Sequence, residues 1–459
     1  MFHKKTYQNR RAKLSQDVKN GLILMLGNNY VGMNYAANTY PFRQDSNFLY
    51  FFGLDKAGLA AIIDIDNNST TLFGHNPTID DIVWEGQVPG INDLAAFCGV
   101  EKTEAPSSLS SYINNALKSG QKIHFLPPYR NANIIRLSDL LKQPVESIKV
   151  DASIPLIYAV AAQRSIKSQE EIQEMTAAVN VTKAMHVAVM QGAKAGVKEA
   201  ELAGLAQQIA YAQGNGLAYP VILSKDGQTL HNHYHGNILQ EGQLVLGDFG
   251  AQNSMCYAGD ITRTCPVSPT FTEVQKSIYE IVLKAEVDSI KACKAGVKYK
   301  DIHLDAAKII ATGLKEMGLM KGNIEEAVAQ GAHALFFPHG LGHHIGLDVH
   351  DMEDLGEQYI GYDAETQRSD QFGTKYLRLG KRLETGNVIT VEPGIYFIPE
   401  LIDKWKGEGM HTDYINYDAL NAFRDFGGIR IEDNILINDT GSTIIGDPIP
   451  KTVNEIESL

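Results

Sequence analysis

The alternation of apolar and polar positions divides the chain into two regions. Over the first ~150 residues, short apolar runs alternate with helical stretches, the pattern of an α/β domain of ordinary size. The apolar run Leu59 to Ile65 and the β-prone stretch Thr70 to Phe73 predict a hairpin turning at Asn67-Asn68. From Pro144 to Asp151 the pattern is irregular, and after Ser165 it becomes strongly helical. Ser168 with Glu171 three residues on forms a capping box that marks a helix start. The helix that follows carries Ile172, Met175, Val179 and Val189 at helical spacing and is expected to end near Gly192. A domain boundary is therefore expected near residue 160, giving domains 1–160 and 161–459.

The second region contains a short internal repeat. Lys194-Ala195-Gly196-Val197-Lys198 recurs as Lys294-Ala295-Gly296-Val297-Lys298, each copy after a long helical segment. Those segments open with the similar triplets Glu171-Ile172-Gln173 and Glu273-Val274-Gln275. Matched position within matched helices points to duplication: two helix–sheet halves about a pseudo-two-fold axis. Ligand pockets commonly form at such junctions.

Composition narrows the class. A chain of 459 residues, 44% hydrophobic and 21% charged, has the make-up of a soluble protein of two domains. No apolar stretch is long enough for a membrane span, and the basic start is not followed by a signal-peptide pattern. Four scattered cysteines do not make a disulfide framework or a structural zinc site, which fits a reducing cytoplasm. The net charge of −13 argues against nucleic acid or an anionic membrane as a partner. There is no Walker sequence and no dinucleotide-binding glycine loop.

The candidate chemistry lies in the second region. Leu244-Val245-Leu246 leading to Asp248 reads as a strand ending in an acid, and Asp260 to Thr264 as its return strand. Asp260, Thr262 and Thr264 share one face, where a core strand would bury apolar residues. Either aspartate alone could simply pair with Arg263, but two buried carboxylates call for a cation. His339, His343, His344 and His350 fall within twelve residues of a glycine-rich stretch. Imidazole is a common ligand for first-row metals, although His344 reads as structural. Glu392, in Val391-Glu392-Pro393-Gly394, and Glu432, in Arg430-Ile431-Glu432-Asp433, each sit at a β-prone run. Four carboxylates and a histidine suit two divalent ions, which would polarise a scissile carbonyl and activate water.

These motifs together resemble the pita-bread metallopeptidases of the aminopeptidase P and prolidase branch. Asp248-Phe249-Gly250, Tyr257 to Thr264, His339-Gly340-Leu341-Gly342-His343, Val349-His350-Asp351, Thr390 to Gly394 and Gly428 to Asp433 carry the likeness. Pro41 to Ser46 resembles the branch's N-terminal domain. The resemblance implies a creatinase/aminopeptidase P-type α/β N-terminal domain followed by an α+β pita-bread catalytic domain. It implies a dinuclear site with Asp248 on one ion, Asp260 and Glu432 bridging, and His343 and Glu392 completing the shells. It also implies Glu392 as proton shuttle, His350, His339 and His233 as active-site histidines, and Arg430 as support for a ligand carboxylate. Manganese is the expected metal, with cobalt, zinc and iron as alternatives. Proline-containing peptides are the expected substrates, and a dimer or tetramer the expected assembly. One departure stands out: the interval from Asp248 to Asp260 is one residue longer than is usual in that family. The surplus is expected in the turn near Asn253 or as a bulge.

Two activities within the branch remain open, Xaa-Pro aminopeptidase first and Xaa-Pro dipeptidase as its alternative. Arg378 falls where prolidases carry an arginine for the dipeptide carboxylate, or it is a surface arginine beside Lys381 and Arg382. Trp84 falls near an aromatic that some aminopeptidases P present to a neighbouring subunit, or it is a packed tryptophan. The rival classes are a metal-free peptide-binding relative and a creatinase-like C–N hydrolase.

Overall fold

A computed structural model describes residues 1–459. The chain forms two compact units, one of residues 1–164 with 353–359, the other of 165–352 with 360–459. The main run of the first unit ends at Arg164. A single cut in sequence misses the return of Glu353–Tyr359 to the first unit, where Tyr359 meets the Tyr158 ring at 5.5 Å.

The first unit is built on a five-stranded mixed sheet. Its order is Lys102–Glu104, Ser69–Phe73, Ala60–Asp64, Leu22–Leu26 and Ile123–His124. Ala60–Asp64 and Ser69–Phe73 are antiparallel neighbours, as the apolar pattern predicts. Asn68 adopts φ +48° in the turn, and Asp64 accepts from the Asn67 backbone N–H, both ordinary devices for a tight reversal. Asp45 caps the short helix Ser46–Phe52 by accepting from Phe48 N at 2.9 Å, so the Pro41–Ser46 stretch serves as a helix entry.

The second unit is organised as two helix pairs with their strands. Gln169–Gly192 packs with Glu199–Gln213, and Glu273–Ala292 with Tyr299–Glu316. Both leading helices open on capping boxes, Ser168 with Glu171 and Thr272 with Gln275. These boxes set the true correspondence, so the two similar triplets are out of step with each other by two helical positions. Leu244–Asp248 lies between Ile222–Ser224 and Thr262–Pro266, all antiparallel. In the other half Val388–Val391 pairs with Asp433–Ile437, and Gly394–Tyr396 with Gly428–Arg430. A bridge between Thr262 and Glu432 joins the halves. Val245, Leu223, Ile389, Ile431 and Ile435 are fully or almost fully buried here. Each contributes roughly 1.5–3 kcal/mol of burial free energy, making the strands that carry the acids a stiff platform. No helix is long and apolar enough to cross a membrane.

Candidate metal centre

The two aspartates hang on one hairpin whose register never slips. Asp248 pairs with Thr262, Phe249 N donates to Ile261 O, Gly259 N to Ala251 O, and Asn253 N to Tyr257 O. There is no bulge. The extra residue is taken up in the turn Ser254-Met255-Cys256, where Cys256 has φ +65° and Asn253 Oδ1 accepts from Met255 N and Tyr257 N. A Cβ on Gly250 would lie 1.8 Å from Gly259 O, so these glycines permit the strands' close approach. Asp248 therefore keeps its place opposite Thr262 despite the longer interval.

Asp260, His343 and Glu432 converge, with one potential ligand atom from each lying within 4.8 Å of the others. All three are buried, as is Asp248. His343 Nδ1 lies 2.9 Å from His344 O, which assigns the proton to Nδ1 and leaves the Nε2 lone pair facing the acids. Nε2 lies 3.5 Å from Asp260 Oδ2 and 3.4 Å from Glu392 Oε1. Thr390 links the two elements: its hydroxyl accepts from His343 N at 3.1 Å and donates to Glu392 Oε1 at 3.2 Å.

The electrostatics are those of a site built for cations. Burial pushes the carboxyls of Asp248 and Asp260 up, and burial with repulsion from Asp260 pushes Glu392 up to about 8 and Glu432 well above its ordinary value. Tyr219 has one hydroxyl proton to offer, yet its oxygen lies within hydrogen-bond distance of both Asp248 Oδ1, at 2.6 Å, and Asp260 Oδ1. Glu432 Oε1 is buried with no hydrogen-bond partner. Unpaired, such a set of acids is costly; divalent ions would satisfy it, so these residues fit the metals.

A second layer holds the acids in place. Buried Arg430 donates from Nη2 to Asp248 Oδ2 at 2.5 Å, from Nε to Thr262 Oγ1 at 3.0 Å, and from Nη1 to Tyr396 OH at 2.8 Å. Tyr396 OH in turn lies 2.8 Å from His339 Nε2. His339 Nδ1 is 2.8 Å from Gly340 O, so both ring nitrogens are engaged, and burial pushes the ring down to about 3, keeping it neutral. Its Nδ1 lies 4.0 Å from Glu392 Oε2.

The substrate-side residues come out unevenly. The His350 ring lies 4.2 Å from that of His343, edge to face. His233 is exposed and its Nδ1 meets Val221 O at 3.3 Å. His231, two residues earlier, is also exposed and feels the charges of the centre. Partial burial and then Arg430 lower its pKa, and Asp248, His350 and Arg378 also act on it. His231 therefore stands beside His233 as a candidate active-site histidine of this loop. Period-two spacing puts His231, His233 and His235 on one side of an extended stretch, so sequence pattern cannot choose among them. Arg378 is half-buried, and its charge bears on Glu392, His339 and His231. His344 is buried with neither ring nitrogen hydrogen-bonded, so it is not the hydrogen-bonded structural histidine its sequence context suggests. Tyr219 and Tyr396 escaped the sequence reading because no local motif marks them. Trp84 is 86% exposed, so it is not packed.

Comparison with known proteins agrees with this geometry. The profile of metallopeptidase family M24 matches residues 173–439, and that of the aminopeptidase P N-terminal domain residues 7–124. The chain is 30% identical to the Xaa-Pro dipeptidase of Homo sapiens, covering 98% of this chain and 90% of that one. It is 33% identical to a probable Xaa-Pro aminopeptidase of Botryotinia fuckeliana, covering 91% and 87%. The fold matches Escherichia coli aminopeptidase P with the inhibitor Pro-Leu at a TM-score of 0.80 and 27% identity, covering 100% of this chain and 98% of that one. A zinc-substituted form of that enzyme in complex with product matches equally well, also at 0.80. The chain belongs to metallopeptidase family M24 and carries an aminopeptidase P-type N-terminal domain.

Proposed function

We propose that this protein hydrolyses the peptide bond before proline, as an Xaa-Pro aminopeptidase with two divalent ions per subunit, manganese foremost. The observation that carries the reading is the convergence of Asp260, His343 and Glu432 beside Asp248 and Glu392. Asp248, Asp260, His343, Glu392 and Glu432 would hold the ions. Bound there, the metals supply Lewis acidity that polarises the scissile carbonyl and makes water nucleophilic near neutral pH.

The chain's own groups do the rest. Arg430 and Thr262 hold Asp248 and Glu432 in one orientation, so nothing need reorganise during the reaction. Glu392 Oε1 is occupied by Thr390 and faces His343, whereas Oε2 faces His339 at 4.0 Å. Its side chain is 18% exposed, so Oε2 can take the water's proton and deliver it to the leaving proline nitrogen. His350 and the loop histidines His233 and His231 orient the substrate, and neutral His339 braces that wall through Tyr396.

Arg378 favours a second reading, Xaa-Pro dipeptidase, because a guanidinium among Glu392, His339 and His231 can pair with a dipeptide's terminal carboxylate. Relatives of both activities match the chain. A dimer or tetramer belongs to the same reading, supported by Ile79, Val83 and Trp84 exposed together on one short helix. The deciding experiment assays matched Xaa-Pro and Xaa-Pro-Xaa peptides on manganese-reconstituted protein. Cleavage of both makes it an aminopeptidase, and of dipeptides alone a dipeptidase. Cleavage of neither, with metal bound, rejects the peptidase reading.

A further inference from the structure

The duplicated Lys-Ala-Gly-Val-Lys turn is not used by the chemistry above, yet its two copies make the same contacts. Gly196 N donates to Leu239 O, and Leu239 N to Val197 O; Gly296 N donates to Leu383 O, and Leu383 N to Val297 O. Lys198 bridges Ile238, and Lys298 bridges Arg382. Glu199 N donates to Asn237 O, and Tyr299 N to Lys381 O. Both turns depend on a glycine with positive φ, +91° at Gly196 and +86° at Gly296. Each copy thus grips the segment just after one candidate substrate-side residue, His231 in the first half and Arg378 in the second.

The residue that follows each copy adds a side-chain tie, and the two ties differ in chemistry. Tyr299 donates to Thr390 O at 2.7 Å, and so bears on the segment joining His343 and Glu392. Glu199 is fully buried and bonds only to the loop that carries His231. Its Oε1 accepts from Ser224 Oγ at 3.1 Å, Lys225 N at 2.8 Å and Asn237 Nδ2 at 3.2 Å. Its Oε2 accepts from Asn237 Nδ2 at 3.0 Å and Asn237 N at 3.3 Å. As the first residue of the helix Glu199–Gln213, it also places its negative charge at the favourable end of the helix dipole. A buried carboxylate bonded at both ends of the loop, residues 224–225 and 237, fixes that loop's closure.

We infer that Glu199 is a positioning residue for substrate recognition: with the first repeat turn it clamps the 224–239 loop and thereby presents that loop's histidines, His231 and His233, to the substrate. The inference rests on the peptidase reading for its kinetic consequence, but not for its structural one. It separates Glu199 from the metal-holding groups, since none of its bonds reaches Asp248, Asp260, His343, Glu392 or Glu432.

The test compares Glu199→Gln with Asn237→Ala, which cuts the same tie from the loop side. Amide hydrogen exchange across residues 231–239 is expected to quicken by about tenfold or more in both variants of the full-length protein. On manganese-loaded protein, kcat/KM for an Xaa-Pro peptide is expected to fall about tenfold, chiefly through KM. Calorimetric titration with Mn2+ is expected to give wild-type stoichiometry and affinity. Wild-type exchange in both variants overturns the inference, as does metal affinity falling in step with kcat/KM. If the unaltered protein cleaves no Xaa-Pro peptide, the parent reading fails, and the exchange measurement still decides for or against the clamp.

Discussion

Thr262 donates its hydroxyl proton to Glu432 Oε2 across 2.6 Å while accepting from Arg430 Nε at 3.0 Å. Glu432 is thereby held by one oxygen, and Oε1 is left buried and free for a cation. Thr262→Val keeps the shape and removes both bonds. Mn2+ affinity should drop by about 10–100-fold, the usual consequence of losing a partner that orients a ligand. The fold should lose about 1–3 kcal/mol from the buried groups left unbonded. Calorimetric titration and denaturant unfolding measure the two effects, and unchanged affinity would deny Thr262 this orienting part.

Removing a ligand acid should stabilise the metal-free protein. Burial and repulsion from Asp260, Glu392 and Asp248 all oppose ionised Glu432. Glu432→Gln is thus expected to raise the melting temperature without metal and to abolish the rise that Mn2+ produces in the wild type. Asp260→Ala and Glu432→Ala should each abolish hydrolysis together with metal binding. Scanning calorimetry with and without Mn2+ reads the first effect; full metal content with retained turnover contradicts the second.

Arg378→Ala should divide the two substrate classes. If its guanidinium meets the terminal carboxylate of a dipeptide, Xaa-Pro cleavage should lose at least about tenfold in kcat/KM, as expected for a charge-assisted bond. Longer peptides, whose carboxylate lies elsewhere, should lose far less. Equal losses on both would remove that role.

Stability should decline on the acid side through two histidines remote from the ligand set. Burial pushes His303 down to about 3 and His333 to about 4, against about 6.5 in an unfolded chain. Between those values the unfolded chain binds more protons, so the contribution is whole above pH ~6.5 and is lost as pH falls towards 4 and then 3. His303→Phe should make that acid limb shallower. A melting temperature constant from pH 7 to pH 4 in the wild type would count against both.

Much of this was legible from local pattern. The hairpin at Asn67-Asn68, the capping box at Ser168 and the strands ending at Asp248 and beginning beyond Asp260 follow from apolar periodicity and turn chemistry among near neighbours. Asp260, His343, Glu392 and Glu432 were visible because each stands in a short motif. The repeat was visible too, although the capping boxes rather than the similar triplets give its true alignment.

Local pattern does not bring out His231 beside His233, because alternate residues of one short loop look alike until charges face them. Nor could it find Tyr219 or Tyr396, which reach their partners from 29 and 34 residues away. The sequence by itself therefore determined which acids and histidines are available and which strand ends carry them. Only the tertiary structure decided which oxygen of Glu432 is free, which nitrogen of His343 faces the acids, and that Arg430 locks Asp248. Ionisation and hydrogen-bond direction depend on distances of a few ångströms between segments as far apart as Asp248 and Arg430, and such distances exist only once the chain has folded.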